Sequence, residues 1–452
     1  MTVSIRPQPS KPHEYHFPGY SRYLLSNGLR VIIAQVRKLP VVTVLAVVDT
    51  GASADTRGRE GLAQLTAEVL REGTEKRSGI EILEGFESLG CSLEAGADWD
   101  STVASMTLLE GHLAAGLSLM AEVLTAPSFP EHEVERLKAE RLAERMQILS
   151  EPRGLADESF ARALYTADSR YAAPIGGDSA SIRAITRVEI LEFFRSRYTP
   201  DAVTMIVVGD IDLQQALDLL NDTLGNWKGK KGIGARTSGK ENTALRSLEV
   251  IEKSDAAQTE LRLGHPGIPR GHPDYFKVVV LNALLGGLFS SRINLNLRER
   301  HGYTYGASSY FDWRRDAGPF VIATAVQSEV SAEAIREIMI EVDGMRSQEV
   351  SHDELSLATN YLEGVFPIRY ETTSAIASAL ANIVIFGLPE DFYDTYRDNI
   401  RAVSPEDVLS AAQRHIHPEK IRAVVVGDPA VIKVPLEKLN FGPLSTRPAA
   451  ET

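Results

Sequence analysis

The ten histidines are the natural place to look for metal or acid–base chemistry, and their spacing offers little of it. They stand at positions 13, 16, 112, 132, 265, 272, 301, 352, 415 and 417. No two form His-x-x-x-His, the spacing that puts two imidazoles on one helix face. His415 and His417 could share a strand face, but a helical pattern ends there at Pro418, and a polar or cationic C-cap is the simpler reading. His13 and His16 fall in a proline-rich lead-in with no rigid element to hold them. A Gly-x-Ser-x-Gly elbow and a glycine-rich phosphate loop ending in Lys-Ser/Thr are both missing, which sets aside the commonest hydrolase and nucleotide chemistries. The densest polar group is Arg298, Arg300 and His301, followed by Gly302, Tyr303 and Tyr305. Cations in a last helical turn favour the dipole and tyrosines suit a strand, so a helix end and a strand account for this group by themselves.

The elements that would position such groups come in two copies. Residues 183–210 align without a gap over residues 401–428, 218 positions later. Thr186-x-x-Glu189 and Ser404-x-x-Asp407 are matching helix N-terminal caps, Pro200 and Pro418 stop each helix, and each copy closes on a β-rich run ending Val-Val-Gly-Asp. A weaker echo pairs 130–134 with 351–355. Two homologous halves are therefore expected, at 1–227 and 248–452. The joining segment is 228–247, where glycines, lysines and small polar residues have a linker's composition. In the first half, Asn27-Gly28 marks a tight turn before β-branched runs at 29–36 and 41–49, and a helix is expected at 60–72, ending at Gly73. In the second, 278–285 and 290–300 read as helices and 303–311 and 319–326 as strands. The expected class is α+β, each half a mostly antiparallel sheet with helices packed over one face.

Composition narrows the function. At 452 residues, 43% hydrophobic and 24% charged, the chain is an ordinary globular protein of more than one domain. With 48 Lys and Arg against 61 Asp and Glu, its net charge of −13 repels nucleic acid. The single Cys91 excludes an intrachain disulfide or a cysteine-based metal cluster and fits a reducing compartment. The first twenty residues hold four prolines and no apolar signal core, and the apolar runs 41–48 and 278–289 are short of the roughly twenty residues of a membrane span. A cytoplasmic protein with no membrane span is expected, or a periplasmic one if the start lies upstream.

The string LLGGLFSSRINLNLRERHGYTYGASSYF, at 284–311, resembles the second-half signature of the pitrilysin, insulysin and mitochondrial processing peptidase family, inverted-motif zinc metallopeptidases built from duplicated α+β units. The likeness extends over nearly the whole chain. It implies that Arg298 and Tyr305, seven residues apart, orient a peptide substrate and polarise its scissile carbonyl. In the first half, GLAQLTAEVLREGT at 61–74 is similar to the family's zinc helix at its leading Gly-x-Ala and closing Gly-Thr. That helix carries His-x-x-Glu-His, two ligands one turn apart with the general base between them. Here Gln64 replaces the first ligand, Ala67 the base and Glu68 the second ligand, while Glu144 matches the family's distant acidic ligand. Gln64, Glu68 and Glu144 could hold a hard cation, but a hydrogen-bonded polar face is the favoured reading.

One half of an active site is thus kept and the other dismantled. The resemblance implies a non-zinc subunit of a heterodimer, with no cofactor of its own, supplying Arg298 and Tyr305 in trans to a homologous zinc-bearing chain. A catalytically inactive scaffold or binding protein is the alternative, and a peptidase with an aberrant metal site the least favoured.

Overall fold

The computed structural model describes residues 14–229, 239–243 and 245–449. Twelve strands form two six-stranded sheets. The first comprises β1 (Tyr20–Leu24), β2 (Arg30–Gln35), β3 (Val41–Val48), β4 (Glu94–Ala97), β5 (Thr102–Leu109) and β6 (Val203–Gly209), in the order β1-β2-β6-β3-β5-β4. The second comprises β7 (Ser247–Glu252), β8 (Thr259–Pro266), β9 (Ala307–Phe311), β10 (Pro319–Val326), β11 (Arg422–Gly427) and β12 (Leu444–Pro448), in the order β12-β7-β11-β8-β10-β9. Five of the six positions correspond one to one. The sixth differs: β1 enters from the N-terminal side antiparallel to β2, whereas β12 is supplied from the C-terminal end and runs parallel to β7. Both sheets are mixed, because β6 and β11 return after long helical excursions and insert parallel to β2 and β7.

The repeat read in the sequence is the repeat of the fold. Helices Arg187–Arg197 and Pro405–His415 lie 218 residues apart, and both begin with complete capping boxes, at Thr186/Glu189 and Ser404/Asp407. Each is followed by a turn, Pro200–Ala202 or Pro418–Lys420, and then by a fully buried strand, β6 or β11. These continuous apolar strands need cover on both faces. Each half's own helices cover one face, and the other half lends a helix to cover the second. Thr373–Phe386 lies on β3 and β6, and Pro152–Leu164 lies on β8 and β11. Period-two alternation divides the strand residues accordingly: Val31, Ile33, Val42 and Val44 pack with first-half helices, and Ile32, Ala34, Leu45 and Val47 join the second-half core.

Of the expected joining segment 228–247, residues 230–238 and 244 lie outside the described residues. Lys240 and Asn242 are hydrogen-bonded to the first half, through Thr166 N–H to the Lys240 carbonyl and Asn242 N–H to the Leu164 carbonyl, and β7 begins at Ser247. One helical stretch among the described residues, Tyr275–Arg300, is long and apolar enough to cross a membrane, but Leu288 is extended and interrupts it. More than half of its apolar window is buried inside the protein.

Candidate functional site

Two corners of the molecule hold the residues that the sequence singles out. The first is built on helix Leu62–Val69, which packs on Arg187–Arg197, on Glu131–Ser150 and on β4. Its start is fixed by Asp55, whose carboxylate accepts from Gly61 N–H and Ala63 N–H, both at 2.8 Å, and pairs with Arg170 at 3.0 Å. Burial pushes the Asp55 carboxyl up to about 6, against the opposing pull of Arg170 and the two N–H groups. Gly61 is required there: its φ is +96°, and a Cβ would lie 2.4 Å from the Gly176 carbonyl oxygen.

Leu62, Ala63, Leu65, Thr66, Ala67 and Val69 are buried, which leaves Gln64 and Glu68, one turn apart, as the polar face. Gln64 spends its amide in both directions, Nε2 donating to Glu68 Oε1 at 2.9 Å and Oε1 accepting from the Ala97 N–H of β4 at 2.7 Å. Glu68 is engaged by Arg141 through two parallel bonds, from Nε at 2.6 Å and from Nη2. Arg141 comes from helix Glu131–Ser150, with Glu144 one turn further along. Burial lowers the Arg141 pKa, and the Glu144 charge acts the other way. Gly176 leaves room for the guanidinium, since a Cβ there would stand 2.8 Å from Nη1.

Gln64 and Glu68 are therefore joined, the cation at Glu68 is Arg141, and Glu144 reaches that cation only through its charge. The sequence reading passed over Arg141, although a basic side chain one turn before Glu144 on the same helix was the available signal. These residues do not fit a zinc ion. The guanidinium occupies the carboxylate's bidentate face, the neutral amide oxygen of Gln64 already accepts from Ala97 N–H and is a poor zinc donor, and Ala67 presents a fully buried methyl where a base would stand.

The second corner lies where the helical stretch ending at Arg300 turns into β9. Gly302, at φ +67°, reverses the chain. Residues 303–311 were expected as one strand, but β9 begins only at Ala307. The backbone of 303–306 is tied elsewhere: Tyr303 N–H donates to the Leu297 carbonyl, Gln327 N–H donates to the Tyr303 carbonyl, and Thr324 Oγ1 donates to Thr304 Oγ1 and to the Gly306 carbonyl. Tyr305 consequently sits at the crest of a pinned turn, 92% exposed. Arg298 lays its guanidinium over the Phe289 ring at 4.4 Å and approaches Glu299 at 3.4 Å. Among the described residues, no hydrogen bond or ion pair links Arg298 or Tyr305 to the Gln64–Glu68–Arg141 group.

The helix-end histidines do not form the polar C-cap expected of them, since among the described residues neither side chain bonds a terminal carbonyl of the helix. His415 Nε2 bonds Asp274 at 2.7 Å, and Arg414 closes on the same carboxylate at 2.9 Å. His272 stands nearby, with its ligand atom inside the 4.8 Å circle that also takes in Asp274 and His415. Arg414 already supplies the positive charge at that carboxylate. The backbone N–H of His417 donates to His265 Nε2, and the His417 ring lies 3.4 Å from Glu419.

Comparison with known proteins follows the same division. A family model described as insulinase (peptidase family M16) matches residues 30–175, and one described as peptidase M16 inactive domain matches residues 184–362. The chain is 24% identical to the uncharacterized zinc protease YmxG of Bacillus subtilis over 359 residues, 78% of this chain and 85% of the relative. It is also 24% identical to the non-peptidase homolog YmxG of Helicobacter pylori, over 88% of this chain and 91% of the relative. Among solved structures, the peptidase M16 inactive domain from Pseudomonas fluorescens superposes with a TM-score of 0.84 at 27% identity, covering 90% of this chain and 98% of that one. A protease from Helicobacter pylori superposes with a TM-score of 0.85 at 21% identity, covering 91% and 100%.

Proposed function

The chain belongs to peptidase family M16, the insulinase family, and from that premise we propose that it is the non-zinc subunit of a two-chain peptidase, presenting Arg298 and Tyr305 to a peptide held on a homologous zinc-bearing chain. The observation that carries this reading is the exposure of Tyr305 on a turn whose backbone is hydrogen-bonded on both sides. A phenol held out in solvent by a rigid turn contributes little to folding and is preorganised for an external oxygen. When a peptide carbonyl is attacked, negative charge builds on its oxygen, and a phenol O–H placed there stabilises the transition state more than the ground state. Arg298, whose planar fork suits paired hydrogen bonds, would fix the substrate backbone or a carboxylate. The chain itself would carry no zinc, its Glu68 being committed to Arg141.

The test is to mix the purified chain with a homologous chain bearing an intact His-x-x-Glu-His motif and to assay peptide cleavage by each alone and by the mixture. Cleavage only by the mixture, with zinc stoichiometric in the partner and absent from this chain, is the expected result. A second reading, an inactive scaffold, draws on the packing of Arg298 over Phe289 and on the non-peptidase name of the Helicobacter relative. It requires that the mixture be no more active than the zinc-bearing chain alone.

A further inference from the structure

Arg270 is a buried cation with no ion pair among the described residues. Its side chain is covered by rings, the guanidinium carbon lying 3.7 Å from the centre of the Tyr275 ring and 4.7 Å from that of Phe392. The residue is 7% exposed, and Nη1 is buried with no hydrogen-bond partner among the described residues. The other arginines with a buried unbonded nitrogen in this part of the molecule differ: Arg314 pairs with Asp312 and Arg315 with Asp49. A guanidinium removed from water normally keeps a carboxylate or phosphate beside it, because an unpaired charge in a low-dielectric site is costly.

Arg270 lines a cavity of about 640 Å³ beside helix Thr373–Phe386. The walls are largely aromatic, with Tyr275, Trp313, Tyr370 and Phe392 prominent, and Arg369 adds a second cation. The one carboxylate in the lining, Asp312, is held by Arg314 through two bonds. We propose that this cavity is a binding site for a carboxylate carried on an aromatic or branched apolar body, with Arg270 as the group that takes the carboxylate. Ring faces so close to the guanidinium give it no oxygen acceptor, Nη1 has no partner of its own among the described residues, and a planar guanidinium is the group that takes a carboxylate bidentately. The volume falls within the range of small-molecule sites and accommodates a body of one or two residues. The carboxylate could belong to a free aromatic acid or to the C-terminal residue of a peptide, and the chemistry at Arg270 is the same.

The experiment is titration calorimetry on the isolated full chain, so it is independent of any partner and of the function proposed for Arg298 and Tyr305. The probes are N-acetyl-phenylalanine, its primary amide, and a hexapeptide ending in phenylalanine with a free or amidated C-terminus. An acid should bind at least roughly tenfold tighter than its own amide, about 1.4 kcal/mol. The small acid binding without the peptide assigns a free acid, and the peptide binding without the small acid assigns a chain end. Arg270→Gln should remove the preference for acid over amide, and Arg270→Lys should keep part of it. Acid and amide binding equally well to the unaltered chain, or no probe binding at millimolar concentration, would overturn the proposal whatever the variants do.

Discussion

The two corners treat similar polar groups in opposite ways. Around Gln64 and Glu68 every polar atom the helix offers is consumed within the chain, by Ala97 N–H, by the neighbouring side chain or by Arg141. Around Tyr305 the flanking Tyr303 and Gly306 backbone groups are bonded, but the side chain is left to solvent. A partly buried carboxylate must be paired, and Arg141 supplies the charge that pairs Glu68. An exposed phenol carries no such penalty and can persist or vanish without consequence for folding. The first corner is therefore explained by stability alone, and the second is not.

The largest expected effect breaks the first corner. Arg141→Ala leaves Glu68, with its side chain 20% exposed, without its cation, and should destabilise the protein by about 3 kcal/mol, read as a lower urea midpoint. Adding Glu68→Gln to that variant should recover much of the loss, because the uncompensated charge is gone. No recovery would mean that Arg141 acts through packing.

A smaller effect contrasts the two halves by pH. In the second half, burial holds the His265 imidazole down at about 4, so the native state binds fewer protons than the unfolded chain between there and the ordinary value near 6.5. His265 therefore contributes stability above about pH 6.5 that is lost as pH falls toward 4, with a slope of at most roughly 1.4 kcal/mol per pH unit. In the first half, Asp55 has the opposite sign: its raised pKa gives stability that is present at acid pH and is lost as pH rises through about 6. Denaturation midpoints across pH 4 to 7 should lose their acid-side fall in His265→Gln and show a steeper one in Asp55→Asn, provided each variant folds. A profile unchanged by His265→Gln would count against a buried neutral imidazole.

The repeat was legible because it is written locally, in hydroxyl–acid caps, prolines and apolar runs whose spacing survives translation by 218 residues. Gln64, Ala67 and Glu68 were singled out differently, by resemblance to the family's zinc helix at 61–74 and not by any local periodicity. Arg141 was not, because its pairing with Glu68 joins two helices 73 residues apart in sequence and leaves no mark on the periodicity of either. The exchange of helices between halves was also hidden, since a strand buried on both faces reads the same whichever half supplies the cover. Tyr305 was assigned to a strand on composition, and the β-branched Thr304 reads the same way; its hydroxyl instead accepts from Gly306 N–H and, with Thr324, pins the turn, a use of threonine that strand propensity conceals.

The smallest expected effect concerns the second corner by itself: Tyr305→Phe should leave the denaturation midpoint of the isolated chain where it is, and a measurable shift would show that the phenol serves the fold. The decisive measurement is the rate of peptide cleavage by this chain carrying Tyr305→Phe, mixed with an unaltered zinc-bearing partner, with assembly verified by size. A complex that assembles normally should lose about a hundred- to a thousandfold in kcat, the usual cost of removing one carbonyl-polarising donor. Cleavage at the unaltered rate by an assembled complex would contradict a role for Tyr305 in trans and leave the inactive scaffold as the function of the chain.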